Sequence, residues 1–406
     1  MVLNVYSLKL LFMKIQILNN IDKAGLSVLE NGNFEFTSEL NEAAGIVLRS
    51  HNLQSMEVPE NLHAISRAGA GTNNINVELC SEKGVVVFNT PGANANAVKE
   101  IVICALILSK RDLVSGNKNL DSIDIEKMED EQINTKIEGM KKEFVGQEIR
   151  GKQLSVIGLG AIGSLVANQA INMGMNVKAF DPGLTVDIAL GLPSSLKRCS
   201  TIEEALTGSD YVSLHIPLND ATKGIIDKEK FVVMKDDAVL LNFSRGGIVN
   251  EEDLIDSLNQ NKIYKYVTDF PTKKLLERIS QHKDVMIFPH LGASTKESEV
   301  NCAVMACSQI SDFLKFGKIN NSVNFPNISS EKVAKHRIFI TNNNQPGIIS
   351  QITEGLAEAG VNISEFVNKS RGEIACNIID SDDEIKPEIV SKLEKIEGVT
   401  NARLCY

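Results

Sequence analysis

The sequence predicts an α/β protein built mainly on parallel sheets, with a smaller α+β domain at its C-terminal end. Short continuous apolar runs alternate with helical stretches through most of the chain, as in sheets that are covered by helices on both faces. A glycine-rich turn joins one of these runs to a helix. Residues 336–406 instead follow the order strand, helix, strand, strand, helix, strand, which is ferredoxin-like.

The first predicted strands end in polar or glycine-rich turns. They are residues 14–18, 45–49, 62–67 and 85–89. Because ligands collect at the carboxyl ends of parallel strands, Arg49, Asn74 and Asn94 at these ends are candidate site residues. The charged residues 112–143 are predicted to form an exposed helical excursion or linker.

Residues 154–181 contain a strand, a turn, a helix and a second strand. The turn has G-x-G-x-x-G spacing at Gly158, Gly160 and Gly163. In this pattern the first glycine permits a tight turn, the second lets the backbone approach a pyrophosphate, and the third lets the helix pack on the strand. The helix N-terminus adds N–H groups for phosphates. An ordinary βαβ unit with flexible turns is the alternative, but the full order of elements favours a Rossmann-type dinucleotide-binding domain.

Asp181 ends the second strand of this unit. A carboxylate at that position would accept hydrogen bonds from both hydroxyls of the adenosine ribose, and it would repel a 2′-phosphate. The expected cofactor is therefore NAD rather than NADP.

The composition describes a globular protein of several domains. The chain has 406 residues, which is too many for one core. Its net charge is −10 with no Lys/Arg-rich run, so nucleic acid is not an expected partner.

Seven scattered cysteines without zinc spacing indicate reduced thiols, a cytoplasmic location and no metal site. No apolar run reaches the roughly 18 residues of a membrane span. Residues 1–12 are predicted to be an N-terminal extension and not a signal peptide.

Two later strands are predicted to end in groups that suit hydride transfer at a carbon bearing a hydroxyl. Residues 237–247 carry Arg245, and residues 284–290 end at His290. A histidine can take or return the hydroxyl proton because it titrates near neutrality, and a guanidinium fork can hold a carboxylate by two hydrogen bonds. A surface Arg and a structural Pro-His turn are the alternatives. The position of both residues at strand ends downstream of the glycine turn favours catalysis.

The remaining predicted elements complete the alternation. They are strands at 209–218 and 263–270 and helices at 97–110, 250–260 and 295–316. Asn250 is the expected N-cap of the second of these helices. Residues 322–327 are expected to return to the first sheet, which would make the first domain discontinuous.

Five segments together closely resemble the D-isomer-specific 2-hydroxyacid dehydrogenases. They are VLRS, RAGAGTNN, GLGAIG, NFSRGGIVNEEDL and PHLGAST, and the likeness covers about residues 13–406. The resemblance implies a Rossmann-type NAD-binding domain inserted in a flavodoxin-like substrate domain, plus a C-terminal ferredoxin-like domain that resembles an ACT domain. The implied boundaries are 13–98 with 297–328 for the substrate domain, 99–296 for the NAD-binding domain and 336–406 for the ACT domain.

The resemblance also implies residue roles. Arg245 would bind the substrate's carboxylate and carbonyl oxygen, and His290 would be the general acid/base. The substrate's carboxylate or phosphate would meet Arg49, Ser50, Ala70 and Gly71. NAD would contact Ala70, Gly158, Gly160, Ala161, Ile162, Gly163, Asp181, Ile216, Phe243, Ser244, Arg245, Asp269, His290, Leu291, Gly292 and Ala293. A one-residue offset leaves Thr268 as an alternative to Asp269.

One position departs from the family pattern. Most members have a Glu that hydrogen-bonds the catalytic His, and aligning the FPT run places Lys273 there. A lysine cannot accept an N–H from His290. Glu277 could substitute for that Glu, His290 could work without a partner, or catalysis could be impaired. We favour a shifted or absent partner.

The ACT-like tail suggests regulation. Asn344 and Asn362 match positions that bind serine in regulated family members, whereas Asn342 stands where a His is common. Serine is therefore an expected effector. The alternative is a domain kept for oligomer assembly alone. A homodimer or homotetramer is expected.

The family likeness and the tail together imply NAD-dependent oxidation of 3-phospho-D-glycerate to 3-phosphooxypyruvate, the first step of phosphorylated L-serine biosynthesis. Another D-2-hydroxyacid dehydrogenase, such as a glyoxylate/hydroxypyruvate reductase, is an alternative that the tail argues against. A non-enzymatic NAD-sensing regulator is a second alternative. Arg245 and His290 argue against it, and Lys273 keeps it open.

Overall fold

The computed structural model describes residues 13–405, so the expected extension of residues 1–12 lies outside the described part. The chain divides into two compact units, one comprising residues up to Asn94 and from Lys296 onward, the other running from Ala95 to Thr295. Two parallel sheets and one antiparallel sheet are present, which confirms the predicted fold class. Within residues 13–405 no helix is both long and apolar enough to cross a membrane.

The first unit begins with a five-stranded parallel sheet in the order β2-β1-β3-β4-β5, which is the flavodoxin-like order. Its strands are β1 (Lys14–Ile17), β2 (Glu35–Thr37), β3 (Ala43–Leu48), β4 (Ala64–Arg67) and β5 (Val86–Phe88). Its helices are α1 (Lys23–Asn31) and α2 (Val77–Glu82), and Leu40–Glu42 form a 3-10 turn. The sequence does not predict β2 because this edge strand has only three residues and none of them is buried.

The second unit is a seven-stranded parallel sheet with helices. Its strands are β6 (Gln153–Ile157), β7 (Asn176–Phe180), β8 (Lys197–Arg198), β9 (Tyr211–Leu214), β10 (Val239–Asn242), β11 (Lys265–Thr268) and β12 (Val285–Ile287). Its helices are α3 (Ala95–Lys110), α4 (Leu113–Asn119), α5 (Asp130–Met140), α6 (Ala161–Asn172), α7 (Val186–Leu190), α8 (Ile202–Leu206), α9 (Lys228–Val233), α10 (Glu251–Asn259) and α11 (Lys273–Ile279). Asn250 caps α10 as predicted, because its side chain accepts hydrogen bonds from two backbone N–H groups of the first turn.

The order of these strands determines where a ligand can bind. The sheet runs β12-β11-β10-β9-β6-β7-β8. Strands β7 and β8 are added on one side of β6 and strands β9 to β12 on the other side, so the strand order reverses between β6 and β9. At such a switch point the loops at the carboxyl ends diverge and leave a crevice. The glycine turn follows β6, and Arg245, Asp269 and His290 follow the three adjacent strands β10, β11 and β12. The sheet therefore brings the predicted catalytic and cofactor residues of this unit to one edge.

Residues 112–143 form the predicted excursion. It consists of α4, α5 and 3-10 turns at Leu120–Ser122 and Lys141–Phe144, and none of these elements contains a buried residue. Asp112 is the N-cap of α4, and its side chain accepts from the Ser115 N–H at 3.3 Å. The prediction of an exposed helical segment is confirmed.

The chain returns to the first unit through α12 (Lys296–Phe316). A Cβ on Gly25 of α1 would lie 2.7 Å from the backbone of Ala303, so glycine is what allows α1 and α12 to approach closely. The hydroxyl of Ser66 on β4 donates to the carbonyl of Ala306 at 2.9 Å. The segment after α12 then contacts β5 through the Phe88–Ser322 bridge, which confirms the predicted return to this sheet.

The tail has its own antiparallel sheet in the order β14-β15-β13-β16. Its strands are β13 (His336–Asn343), β14 (Glu365–Arg371), β15 (Ile374–Ser381) and β16 (Val399–Cys405), and its helices are α13 (Ile348–Glu358) and α14 (Pro387–Leu393). One sheet face packs on the two helices. The other face joins the core around α12, where the rings of Phe313 and Phe339 meet edge to face with centroids 5.1 Å apart. The predicted ferredoxin-like order is confirmed.

Candidate active site

The glycine turn after β6 is tightly constrained. Gly158 has φ +93°, which favours glycine, and a Cβ there would lie 2.5 Å from the carbonyl oxygen of His215. At Gly163 a Cβ would lie 1.9 Å from the Gly158 carbonyl oxygen. No side chain fits at either position, so these two glycines hold the start of α6 against the ends of β6 and β9.

Gly160 differs from its two neighbours in the pattern. It is the N-cap residue of α6 and supplies no side-chain cap, and a Cβ at this position would meet nothing within 4 Å. Ala161 is exposed and Ile162 is half-buried at the first turn of the helix. The open end of α6 thus presents backbone N–H groups and the positive end of the helix dipole to a phosphate, so the residues present fit the pyrophosphate of NAD.

Asp181 lies directly after β7, beside the glycine turn. Its carboxylate accepts from the Leu159 N–H at 2.6 Å and from the Gly183 N–H at 2.7 Å. Both oxygens are thus fixed by backbone donors, and the side chain is only half-buried. A fixed and accessible carboxylate at this position can accept hydrogen bonds from ribose hydroxyls.

The residues directly after β9 pack against the glycine turn. Ile216 is half-buried, and its Cγ2 would lie 2.9 Å from a Cβ on Gly158. His215 was not among the predicted site residues. Its Nε2 lies 2.8 Å from the Ser213 hydroxyl, and burial lowers the pKa of His215 to about 3. This imidazole is therefore a neutral structural group near neutral pH.

Arg245 lies in an exposed turn after β10. Its Nη1 donates to the carbonyl of Ser244 at 2.6 Å, and the side chain of Asn242 donates to the carbonyl of Arg245 at 2.9 Å. Phe243 is buried, with its ring centroid 6.0 Å from that of Phe288. Any contact of Phe243 with a cofactor would therefore come from its backbone.

Asp269 follows β11 and is almost completely buried. One carboxylate oxygen accepts from the Gly292 N–H at 3.0 Å, whereas the other is buried without a hydrogen-bond partner among residues 13–405. Burial raises the pKa of Asp269, and the Gly292 N–H and the nearby His290 and Arg245 side chains oppose that rise. Thr268, the sequence-based alternative, instead donates its hydroxyl to the Asn242 carbonyl inside the sheet.

His290 lies in an exposed turn after β12 with φ +52°. Few residues other than glycine adopt this region, and such strain is frequent at active sites. The imidazole packs edge to face against Phe270, with ring centroids 5.2 Å apart. Of the following residues, Leu291 is exposed, whereas the Gly292 backbone is fixed by Asp269 and Ala293 is half-buried.

Lys273 begins α11 and does not enter the site. Its side chain is 90% exposed and lies 3.9 Å from Glu277, which is also exposed. In the part of the chain that the structure describes, no carboxylate is hydrogen-bonded to the His290 ring. The Asp269 carboxylate instead accepts from the backbone N–H of Gly292, two residues after His290.

The predicted substrate residues of the first unit lie on loops after β3 and β4. Arg49 forms an ion pair with Glu299 at 2.9 Å. The side chain of Asn19, with φ +69°, accepts from the Ser50 N–H at 3.0 Å and the His51 N–H at 2.7 Å. Asn19 was not predicted, although an Asn directly after an apolar strand is a turn signal.

The second of these loops is also held by side-chain amides. The Ala70 carbonyl accepts from the Asn89 amide at 2.7 Å, and the Gly71 carbonyl accepts from the Arg67 guanidinium. The Asn74 amide donates to the His51 carbonyl at 2.7 Å. These bonds use carbonyl groups, so the backbone N–H groups of Ala70 and Gly71 are the donors that could face a ligand.

The predicted effector residues of the tail are accessible. Asn344 is exposed and donates to the Gly372 carbonyl at 3.0 Å, and Asn362 is exposed. Asn342 is 2% exposed, and its amide oxygen accepts from Asn377 at 2.7 Å. Asn342 is thus part of a buried amide network and does not face a ligand.

Residues 122–292 match the NAD-binding domain of the D-isomer specific 2-hydroxyacid dehydrogenase family. They include every candidate residue of the second unit except Ala293. Within residues 13–405 no group of three or more His, Cys, Asp or Glu residues could hold a metal ion.

Among curated proteins, the chain is 31% identical over 329 residues to a D-3-phosphoglycerate dehydrogenase of Methanocaldococcus jannaschii, covering 79% of this chain and 59% of that relative. It is 29% identical over 418 residues to a D-3-phosphoglycerate dehydrogenase of Dictyostelium discoideum, covering 97% of both chains. The chain therefore spans little more than half of the archaeal relative and nearly all of the Dictyostelium one.

Among solved structures, the chain is similar to NAD+-bound 3-phosphoglycerate dehydrogenase of Entamoeba histolytica. The TM-score is 0.60 at 28% identity, covering 77% of this chain and 98% of that one. The fold is also that of an NADPH-dependent glyoxylate/hydroxypyruvate reductase of Sinorhizobium meliloti, with a TM-score of 0.63 at 18% identity, covering 77% of this chain and 97% of that one.

Proposed function

We infer that the chain belongs to the family of D-isomer-specific 2-hydroxyacid dehydrogenases, whose NAD-binding domain its residues 122–292 match, and we propose that it oxidises 3-phospho-D-glycerate to 3-phosphooxypyruvate with NAD. This reaction would be the first step of phosphorylated L-serine biosynthesis. The names of the archaeal, Dictyostelium and Entamoeba relatives support this substrate over other 2-hydroxyacids.

The single observation that carries the proposal is the order of loops along one sheet edge. Arg245, Asp269 and His290 follow the adjacent strands β10, β11 and β12, and the glycine turn follows β6 in the same parallel sheet. A cation for a carboxylate, a proton acceptor and a dinucleotide turn at one edge are the groups that oxidation of a 2-hydroxyacid requires.

The chemistry follows from the residue types. Arg245 holds the substrate's carboxylate with its guanidinium fork and stabilises negative charge on the oxygen at C2. His290 accepts the proton of the C2 hydroxyl in oxidation and returns it in reduction. NAD, when bound, supplies the acceptor for the hydride of C2. The open end of α6 and Asp181 would hold its pyrophosphate and ribose.

His290 is proposed to work without a carboxylate from α11. Lys273 and Glu277 lie on the exposed face of that helix and pair with each other. The Phe270 ring against the imidazole and the strained backbone of His290 itself define the orientation of the ring instead. The departure from the family pattern is thus compatible with catalysis.

Residues of the first unit are proposed to bind the substrate's acid groups. Arg49 has a guanidinium whose present partner, Glu299, is about half exposed, so an anionic ligand could replace it at small cost. Ser50 and the N–H groups of Ala70 and Gly71 would add neutral donors. These assignments rest on the family likeness and on the accessibility of the two loops.

A direct assay tests the proposed function. Purified protein should consume NADH in the presence of 3-phosphooxypyruvate, and reduce NAD in the presence of 3-phosphoglycerate. Arg245→Lys and His290→Ala should each lower kcat/KM by roughly 10²- to 10⁴-fold, while NADH still binds in a fluorescence titration.

Two outcomes would replace the proposal. Turnover of glyoxylate or hydroxypyruvate without turnover of 3-phosphooxypyruvate would identify another 2-hydroxyacid dehydrogenase. NADH binding without turnover of any 2-oxo acid would indicate a non-enzymatic NAD sensor.

We also propose that the protein is a cytoplasmic homodimer or homotetramer and that L-serine binds its tail. The exposed side chains of Asn344 and Asn362 support serine binding, whereas the buried Asn342 does not contribute to it. Calorimetric titration with L-serine should show binding to the unaltered protein and none to Asn344→Ala. If the unaltered protein and Asn344→Ala bound L-serine equally well, the assignment of a serine site to Asn344 in the tail would be wrong.

A further inference from the structure

We propose that Asn242 is a positioning residue that fixes the turn carrying Arg245, and that substrate binding depends on its side-chain amide. The inference rests on the proposed function because Arg245 is the group through which Asn242 would act. Asn242 is the last residue of β10 and is 1% exposed, so it does not itself reach a ligand.

The side-chain amide of Asn242 is hydrogen-bonded to two residues of the turn. Its nitrogen donates to the carbonyl of Arg245 at 2.9 Å. Its oxygen accepts from the Ser244 N–H at 3.2 Å and from the Ser244 hydroxyl at 3.0 Å. One side chain thus satisfies a donor and an acceptor of the three-residue turn that follows it. This requires both halves of an amide, which neither Asp nor Ala provides.

Asn242 is itself held by the neighbouring strand β11. The Thr268 hydroxyl donates to the Asn242 carbonyl at 2.9 Å, and the Asn242 amide lies 3.3 Å from the Tyr266 hydroxyl. All three residues are buried. A buried and satisfied polar network has few alternative arrangements, so the position of Asn242 is defined before any ligand binds.

The same strand fixes the second catalytic turn. Asp269, directly after β11, accepts from the Gly292 N–H and thereby holds the turn that contains His290. The end of β11 therefore ties the Arg245 turn through Asn242 and the His290 turn through Asp269. The relative placement of the two catalytic groups is set by this strand end.

Arg245 depends on its backbone for orientation. It is exposed, and among the residues that the structure describes its guanidinium is hydrogen-bonded to the adjacent carbonyl of Ser244. A shift of the turn would move the guanidinium with it. A misplacement of about 1 Å in a substrate-positioning group can cost on the order of 100-fold in rate, so loss of the Asn242 amide should mainly reduce binding of the substrate's carboxylate.

A double-mutant cycle tests the inference. Asn242→Ala and Asn242→Asp are measured in the unaltered protein and in an Arg245→Lys background, with whichever 2-oxo acid the protein reduces best. If Asn242 acts through Arg245, its loss should lower kcat/KM by roughly 100-fold in the first background and by less than about threefold in the second. NADH should still bind in both backgrounds, which distinguishes a misplaced guanidinium from loss of the cofactor site.

Asn250→Ala is the matched control. Asn250 is also an Asn that bonds two backbone N–H groups near this turn, but it caps α10. Its loss should lower the thermal midpoint and leave kcat/KM unchanged. Asn242→Asp keeps the size and the acceptor of Asn242, so it provides a folded variant if Asn242→Ala unfolds.

Equilibrium binding separates this inference from the proposed function. Oxalate, which mimics a 2-oxo acid, should bind the NADH complex of the unaltered protein and bind Asn242→Ala and Arg245→Lys much more weakly. Oxalate binding without turnover of any 2-oxo acid would overturn the function alone. The inference would be overturned by equal costs of Asn242→Ala in the two backgrounds, by unchanged oxalate binding in that variant, or by no oxalate binding to the unaltered protein.

Discussion

At the scale of single residues, the three glycines of the dinucleotide turn have different reasons to be glycine. Gly158 has a positive φ and lies against the His215 carbonyl, and a Cβ on Gly163 would overlap the Gly158 carbonyl. A Cβ on Gly160 would meet only open space. The fold requires the first two glycines, whereas only a bound ligand would require Gly160.

Residue type and position were enough to predict Asp181, Arg245 and His290 at strand ends. They were not enough for Asn242, because its role depends on contacts with Tyr266 and Thr268, which are 24 and 26 residues later in the chain. A buried Asn at the end of an apolar strand belongs to no sequence pattern that would indicate its role. Its partners become visible only when β10 and β11 are paired in register.

Two half-buried histidines, each with a buried Nδ1 atom, predict a loss of stability at acid pH. Burial lowers the pKa of His63 to about 3, with a contribution from the Arg403 cation, and burial alone lowers the pKa of His215 to about 3. Below the ordinary value of 6.5 the unfolded chain takes up protons that the folded chain does not bind until about pH 3. The free energy of unfolding should therefore fall through this window, by up to about 1.4 kcal/mol per pH unit for each histidine.

Urea unfolding at a series of pH values between 7 and 5 measures this effect. His63→Gln should flatten the slope because one titrating group is removed. A variant with an unchanged slope would show that His63 does not contribute to acid sensitivity.

At the scale of elements, strand and helix periods predicted most of the chain, and α11 shows where that reasoning stops. The FPT run placed Lys273 at the position of the usual catalytic carboxylate, but the sequence could not tell which way the side chains of α11 point. In the structure Lys273 and Glu277 face solvent on successive turns of this helix. The short edge strand β2 was missed for a related reason, because it lacks an apolar run.

Glu277→Gln should therefore leave catalysis intact. Its ion pair with Lys273 is exposed, so the variant should lose no more than about 0.5 kcal/mol of stability, and kcat/KM should stay within about twofold. Steady-state kinetics over a range of pH is the measurement. A large fall in kcat would mean that Glu277 reaches His290 during turnover.

At the scale of the whole molecule, the tail is part of the core of the first unit. Arg337 and Asp380 form a completely buried ion pair, with Nε–Oδ1 at 2.6 Å and Nη2–Oδ2 at 2.8 Å. Arg337 also donates to the carbonyl of Phe316, the last residue of α12, at 3.2 Å. The sequence predicted the tail's order of elements, but this pair could not be predicted because its two residues are 43 positions apart on different strands.

Removing Arg337 should destabilise the first unit strongly. Arg337→Met leaves the Asp380 carboxylate buried and unpaired, which should cost about 3–5 kcal/mol. Lys392→Met, which breaks the exposed pair with Glu358, is the control and should cost about 0–1 kcal/mol. Chemical denaturation measures both, and equal losses would contradict a structural role for the buried pair.

Two substrates that differ only in the phosphate test whether the protein acts on a phosphorylated 2-hydroxyacid. The measurement is kcat/KM with NADH for 3-phosphooxypyruvate and for hydroxypyruvate, with the same enzyme preparation. A site with a cation for the phosphate should prefer the phosphorylated substrate by at least about 100-fold, since a charged pair and its hydrogen bonds are worth several kcal/mol. Equal values of kcat/KM, or a preference for hydroxypyruvate, would contradict the assignment of 3-phosphooxypyruvate as the substrate.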